Sequence, residues 1–405
     1  MLYRAGVLNE DLLGVIGANV RVPNLVVNDV RSQLATIRQT ASRLQTFLTQ
    51  MGWNSLEPLA DAIFVRTETA LRRSISAIPD GVYRAECAVE TGETGTHVML
   101  RLALNVTGDA IVADFEGTES KVDRGINCVL NYTVAFTLFA LKAILAPFLP
   151  NNEGAMRPIT VRAPLGCILN VQRPAAVVGR TSVGQFIPQL VFSTLATVMP
   201  KQVLAESGSM PLWWLTLAGH HRDGRPFVVG PMFSGGLGAR SDADGVSCLT
   251  FPAKIKNTPV ELLETDSPIL VERREFITDS GGAGRFRGGL GQEFVLRVPD
   301  DETAPQGPIV EFLLGGRLAT AAQGLHGGQP GAMASVNLNG KAITWGAPYL
   351  LHPGDRISYQ TAGGGGHGLA RERDRAVVQR EIDGGLISAA AAQSLYGYDA
   401  DQDLD

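Results

Sequence analysis

The chain has 405 residues, of which 45% are apolar and 19% charged, and a formal net charge of −5. That length provides for two or three structural units around large cores, and the composition excludes both a disordered chain and a small disulfide-stapled fold. The acidic balance offers no basic stripe to release counterions from a phosphate backbone, which excludes nucleic acid as a partner.

No run of about 20 apolar residues occurs, and the opening MLYRAGVLNEDL lacks a charged leader followed by a long apolar stretch. A cytoplasmic protein that does not enter a membrane is expected. Cys87, Cys128, Cys167 and Cys248 are scattered without a C-x-x-C pair, which suits reduced, buried thiols.

Val30, Leu34, Ile37, Ala41, Leu44, Leu48 and Met51 recur at steps of four and three, the period of a helix and of a heptad seam. Asn28 or Asp29 is expected to cap this helix and Gly52 to end it. A second helix after Ser55, carrying Leu56, Ala60, Ile63, Thr67 and Ala70 on one face, runs to the Pro79-Asp80-Gly81 turn and completes a helical hairpin. Each helix is short for an autonomous coiled coil, so the seam is expected to pack on the body or on a partner subunit.

Period two then takes over in GVYRAECAV, HVMLRLALNV and AIVADFEGT, three strands with Gly108-Asp109 between the last two. Residues 126–149 form an apolar helix-like run, ITVRAP and CILNVQ read as strands, and Ser182 to Met199 reads as a helix. WWLTLAGHHRDGRPFVVG follows as a hairpin with Asp223-Gly224 at its tip. Beyond Pro268 come ILVERREF, EFVLRV, IVEFLL, SVNLNG, KAITW and DRISYQ, strands punctuated by Gly-Gly pairs, and a helix-forming segment from Arg371 to Tyr396. The expected fold is mixed α/β of the α+β kind: a helical region at 1–79, a mixed core at 80–265, a β-rich antiparallel part at 266–370 and a helical tail at 371–405. Asp399 to Asp405 reads as a solvated end.

The densest chemistry lies between Gly230 and Gly291, where glycine-and-arginine loops flank a carboxylate-rich segment. Glycine permits φ > 0 and close approach of a ligand or of a second backbone, so these loops read either as a site or as tight turns in a β-rich core. Arg240, Asp242 and Asp244 follow Gly235-Gly236-Leu237-Gly238-Ala239, and Glu261 and Glu264 follow Asn257-Thr258-Pro259. A bidentate arginine can hold a carboxylate-like group and paired acids can move a proton, while an internal salt-bridge network uses the same residues. The formal G-x-G-x-x-G at 363–368 opens no βαβ unit, which favours a structural turn. No P-loop and no G-x-S-x-G elbow is present. His220-His221 lacks the spacing of a helical zinc pair, and adjacent strand residues point to opposite faces.

At these residues the chain resembles the hydantoinase B/oxoprolinase family, the B subunits of ATP-dependent hydantoinases and 5-oxoprolinases, related to the alpha subunits of acetone-type carboxylases. The matching segments include NEDLLGVIGANVR at 9–21, DGVYRAE at 80–86, VADFEGTESKVDRGIN at 112–127, PNNEGAMRPITV at 150–161, GGLGARSDADGV at 235–246, NTPVELLE at 257–264, SGGAGRFRGGLG at 280–291 and PGDRISYQTAGGGGHG at 353–368.

The resemblance implies amide or carbonyl chemistry on cyclic amides such as hydantoins, N-methylhydantoins and 5-oxoproline. It also implies an A-type partner subunit of actin-like ATPase fold that uses ATP, in an oligomeric assembly. Phosphorylation of the amide oxygen would make it a leaving group. From the matched segments, Arg240, Asp242 and Glu261 are the candidate catalytic residues, and Asn127, Asn152, Gly236 and Gly238 the candidate substrate-binding ones. The Asn-Asp-Pro, Gly-Gly-Thr-His and His-His-Ala-Asp elements that look like the family's metal ligands do not occur in this chain, so a divalent metal is implied for the family and no metal ligand is assigned here. The expected function is therefore the B component of an ATP-dependent amidohydrolase, truncated or half of a split pair. A ketone carboxylase subunit and a non-catalytic structural or regulatory subunit are the alternatives.

Overall fold

The computed structural model describes residues 1–92, 96–343 and 348–399. A short antiparallel pair, β1 (Tyr3–Arg4) and β2 (Val7–Leu8), leads into α1 (Glu10–Ala18). The long α2 (Pro23–Met51) has proline in its first turn and Gly52 in the left-handed conformation at its end. The helix thus starts upstream of the expected Asn28 or Asp29 cap, because proline needs no N–H at the first helical position and its φ is already helical. No residue of α2 is buried; Ile37 is 66% exposed and Leu44 41%. The two helices of the expected hairpin pack on different neighbours. α2 lies on α1, whereas α3 (Glu57–Ile75) turns to the body and buries Thr67, Leu71 and Ile75 from its second half.

Strands β3 (Gly81–Glu90), β4 (His97–Thr107) and β5 (Ala110–Asp114) form the expected antiparallel meander. The chain then passes through α4 (Leu130–Leu145) to β6 (Ile159–Arg162), which pairs parallel with β5. α4 starts later than the apolar run suggests because Cys128 is held in a loop ladder, its amide donating to Ile168 and its carbonyl accepting from Val171. Those contacts also replace the expected strand at 167–172, which makes only an isolated bridge from Cys167 to Ser120. The single helix expected at 182–199 is two, α5 (Thr181–Gly184) and α6 (Ile187–Leu195), the second opening on Pro188. Leu71, Leu100, Leu104, Phe115, Leu141 and Ile187 centre one core between this sheet and its helices.

The second half carries two further sheets. Strands β7 (Trp213–His220), β8 (Pro226–Val229) and β9 (Met232–Phe233) precede α7 (Val260–Asp266), β10 (Leu270–Phe276), β11 (Gln292–Arg297) and β12 (Ile309–Leu314). β13 (Ser335–Leu338), β14 (Lys341–Ala342), β15 (Tyr349–Leu351) and β16 (Arg356–Gln360) complete them. One sheet runs β10-β11-β16-β13-β14; the other runs β15-β12-β7-β8, with β9 on β7. Their facing sides bury Trp213, Phe233, Phe294 and Tyr359. Because β7 pairs with β12, the packing carries the chain across residue 265 without a break. Thr344 and Trp345 of the expected strand at 341–345, and tail residues 400–405, lie outside the described residues. The C-terminal segment is α8 (Arg375–Asp383), a turn at Gly384-Gly385, and α9 (Ala389–Ala391) continued by a wide turn to Tyr396. Among the described residues no helix is long and apolar enough to cross a membrane.

Candidate functional site

The glycine loops singled out in the sequence meet at the centre of the second half. Residues 205–209, 235–239, 280–291, 322–331 and 361–368 run side by side and hydrogen-bond to one another outside any strand. The Gly236 amide donates to the Ala362 carbonyl at 2.9 Å, Gly208 to Gly236 at 2.8 Å, Gly364 to Gly289 at 2.9 Å, Gly365 to Glu206 at 2.8 Å and Gly366 to Gln329 at 2.9 Å. A Cβ on Gly236 would lie 1.7 Å from the Gly289 oxygen, one on Gly238 1.9 Å from the Ala205 oxygen, and one on Gly363 1.7 Å from the Ser280 oxygen. None of these three has a positive φ. Close approach of backbones, the logic that places glycine at the collagen axis, dictates the residue type here.

At one end of this bundle the chain emerges as the loop 240–244. Arg240 and Asp242, expected together in a site, are brought together: Arg240 Nε donates to Asp242 Oδ1 at 3.1 Å, with the two side chains 57% and 73% exposed. Such a pair contributes about 0–1 kcal/mol to folding and leaves both groups open to a ligand. Asp244 turns inward instead. It accepts both terminal nitrogens of Arg373 at 2.7 Å and the Arg287 amide at 2.7 Å. Glu381 then bridges the arginines, 2.9 Å from Arg287 Nε and 3.0 Å from Arg373 Nη2. Burial alone would raise the Asp244 carboxyl, but the Arg373 hydrogen bond and charge outweigh it and hold the group below its usual range. Two arginines and two carboxylates thus form a charge-balanced, largely buried cluster that fastens α8 to the bundle. Sequence reasoning missed Arg287, Arg373 and Glu381 because the partners stand 94 and 129 residues apart and no spacing rule joins them.

The remaining candidates are dispersed. Glu261 is exposed in the first turn of α7. Among the described residues it makes no ion pair with the 240–244 loop. Asn127 is 1% exposed and its amide is saturated: Oδ1 accepts from the Val122 amide, and Nδ2 donates to the carbonyls of Val122, Arg124 and Ala176 at 2.7–3.1 Å. Asn152 donates to Thr67 Oγ1 of α3 at 2.9 Å, and its buried Oδ1 has no partner among the described residues. Gly236 and Gly238 stand inside the bundle, walled by backbone in the Cβ direction.

Two further carboxylates had no sequence signal. Glu311 on β12 is 1% exposed and meets the Tyr359 hydroxyl between the two sheets, and burial pushes its carboxyl up to about 8. Glu90, at the end of β3, accepts the amides of Leu318, Ala319 and Thr320 at 2.8–3.1 Å and so clasps the first sheet to the second half. Among the described residues no group of three or more His, Cys, Asp and Glu side chains gathers to hold a metal ion. The residues present therefore do not match the divalent metal implied for the family, and no reaction step is routed through one.

The architecture is that of a scaffold closed by backbone packing, with polar loops at its rim. The family model described as Hydantoinase B/oxoprolinase matches residues 1–370, and the chain belongs to that family. An uncharacterized protein of Methanocaldococcus jannaschii is 30% identical over 96% of this chain and 68% of its own length. A Pseudomonas protein named as the putative B-type component of a D-/L-hydantoinase is 27% identical over 98% of this chain and 69% of its own. Among solved structures, the ATP-dependent caprolactamase of Pseudomonas jessenii superposes with a TM-score of 0.88 at 23% identity, over 100% of this chain and 72% of that one. A nucleotide-free acetone carboxylase superposes at 0.81 and 17%, over 98% and 59%. These two likenesses establish the fold.

Proposed function

We propose that this chain is the B-type component of an ATP-dependent amidohydrolase that opens cyclic amides of the hydantoin, N-methylhydantoin or 5-oxoproline type. The observation that carries the reading is the family match across residues 1–370, joined to a relative named as a hydantoinase component of the B type over 98% of the chain. An A-type subunit would supply the ATPase, in a hetero-oligomer, and an assembly that consumes ATP belongs in the cytoplasm. ATP furnishes the phosphoryl group that converts the amide oxygen into a leaving group.

Within this reading Arg240, at the rim beside Asp242, holds the anionic oxygens of the activated substrate, and its planar fork suits that task better than a lysine would. Glu261 is the exposed carboxylate to test as proton carrier. Asn152, with its unpartnered Oδ1, is the acceptor to test for a ring N–H. Asn127, Gly236 and Gly238 act by holding backbone in place.

The test combines the purified chain with an A-type subunit, ATP and a panel of cyclic amides. Ring opening coupled to ATP hydrolysis is expected, with kcat/KM reduced about 100-fold by Arg240→Ala if the guanidinium binds charge developing in the reaction. Absence of both complex and ring opening would remove the reading. The superposition on acetone carboxylase supports a second one, ATP-dependent carboxylation of a ketone. Bicarbonate-dependent turnover of ketones, without turnover of cyclic amides, would establish that instead.

A further inference from the structure

His367 closes the glycine run at 363–368, and the sequence leaves it isolated, as it does His326. The fold brings them together: their rings stand 5.0 Å apart, tilted by 55°. His367 is 8% exposed, whereas His326 lies at the surface on a left-handed turn with φ 51°. The main chain holds both in place, since His367 bridges Phe286 on one side and Leu325 on the other. The Pro200 carbonyl faces the His367 ring, while Nε2 is buried without a partner among the described residues. Nε2 is therefore the ring nitrogen left without a hydrogen-bond partner.

A buried polar atom without a partner costs about 1–3 kcal/mol, so a group that satisfies Nε2 is favoured. We propose that His367 and His326 form a two-histidine site for a divalent transition-metal ion of the zinc type, with the remaining positions open to water or a small ligand. With Zn–N bonds of about 2.0–2.1 Å and tetrahedral angles, two imidazoles on one ion set their ring centres about 5 Å apart. A ligating histidine characteristically donates its other ring N–H to a carbonyl or carboxylate, which fixes the tautomer and ring orientation, and the Pro200 carbonyl faces the His367 ring to take that role. Burial, and secondarily the neighbouring His326, hold the pKa of His367 below its ordinary value, and a metal binds the neutral imidazole. Imidazole ligation without carboxylates selects zinc, copper, nickel or cobalt over magnesium or calcium. The exposed face of His326 gives the ion a path from solvent.

The test uses the full chain, stripped with a chelator and titrated with Co(II) and Zn(II). One Co(II) per chain is expected, with the visible absorption of a low-coordinate nitrogen-ligated ion, and Zn(II) should displace it. His326→Gln, at an exposed position, should leave the melting temperature of the metal-free chain unchanged and weaken Co(II) binding at least about tenfold. His367→Gln should abolish the absorption, and His352→Gln should change nothing. Metal should raise the melting temperature of the unmutated chain and not that of His326→Gln, since an ion that binds only the folded state stabilises it. No stoichiometric uptake, or uptake indifferent to His326→Gln, would overturn the site. None of these readouts depends on turnover, so the amidohydrolase reading and the metal site stand or fall separately.

Discussion

The glycine bundle and helix α2 are the two most patterned stretches of the chain, and they sit at opposite extremes of packing. In the bundle nearly every glycine faces a neighbouring backbone, with no room for a methyl group at Gly236, Gly288 or Gly363. In α2, a 29-residue helix with an apolar repeat, no residue is fully buried. Composition signals both regions, but it does not say what covers them. A glycine-dense loop can be glycine-dense because another main chain already occupies the space, whereas an apolar seam can be complete in sequence and still await its partner.

The comparison breaks most sharply at the ion cluster that locks the bundle. Arg373→Met removes a guanidinium with a 2% exposed side chain and leaves Asp244 and Glu381 short of their partner. Breaking a buried pair on one side costs about 3–5 kcal/mol, and a denaturant midpoint lowered accordingly checks this. An unchanged midpoint would mean that α8 is not fastened through these charges.

Gly236→Ala comes next, at about 3 kcal/mol, because the added methyl meets the Gly289 carbonyl and overpacking must displace main chain rather than a flexible side chain. Gly14→Ala in α1 is the control. Nothing lies within 4 Å of its Cβ position, so the substitution should stabilise by about 0.4–1 kcal/mol. Equal effects at the two positions would refute the packing account of the bundle.

Between the two sheets, Glu311 predicts a pH dependence. Its folded-state pKa, about 8, lies above the ordinary carboxylate range, so the folded chain binds a proton that the unfolded chain has released. The stability this group contributes is complete at low pH and is lost as pH rises through about 8. The slope should approach about 1.4 kcal/mol per pH unit between the two pKa values, and Glu311→Gln should flatten it. Urea unfolding of both chains across that window decides the matter, and identical slopes would exclude Glu311 as the source.

Much of the fold was legible. The meander at 81–114 alternates strictly, and the Asp223-Gly224 tip is flanked by strands, so local period and turn chemistry agreed with the final packing. Where they failed, a non-local contact had taken over: Cys128 paired with the 168–171 segment cut short α4 and pre-empted a strand. Of the candidate site, only the juxtaposition of Arg240 and Asp242 followed from adjacency in sequence. Asn127 looked like an amide binder because its type suits that role, but no sequence rule reveals that four backbone groups saturate it. The histidine pair and the buried ion cluster join residues far apart in the chain, and a single sequence carries no record of such distances.

The smallest expected effect on the isolated fold concerns α2. Leu34 is half-buried and Leu44 is 41% exposed, so Leu34→Asp with Leu44→Asp removes almost no packing and should shift stability by no more than about 0.5 kcal/mol. Assembly should respond differently. The seam of Val30, Leu34, Ile37, Leu44 and Leu48 presents a continuous apolar stripe of the kind that marks a partner surface, and two carboxylates placed in it would have to be desolvated on docking. The double variant should therefore melt like the unmutated chain while losing its oligomer or its complex with the A-type subunit, as read by light scattering. An unmutated chain that stays monomeric even with that subunit present, or a complex indifferent to both substitutions, would show that α2 is solvated for some other reason and that the contact lies elsewhere.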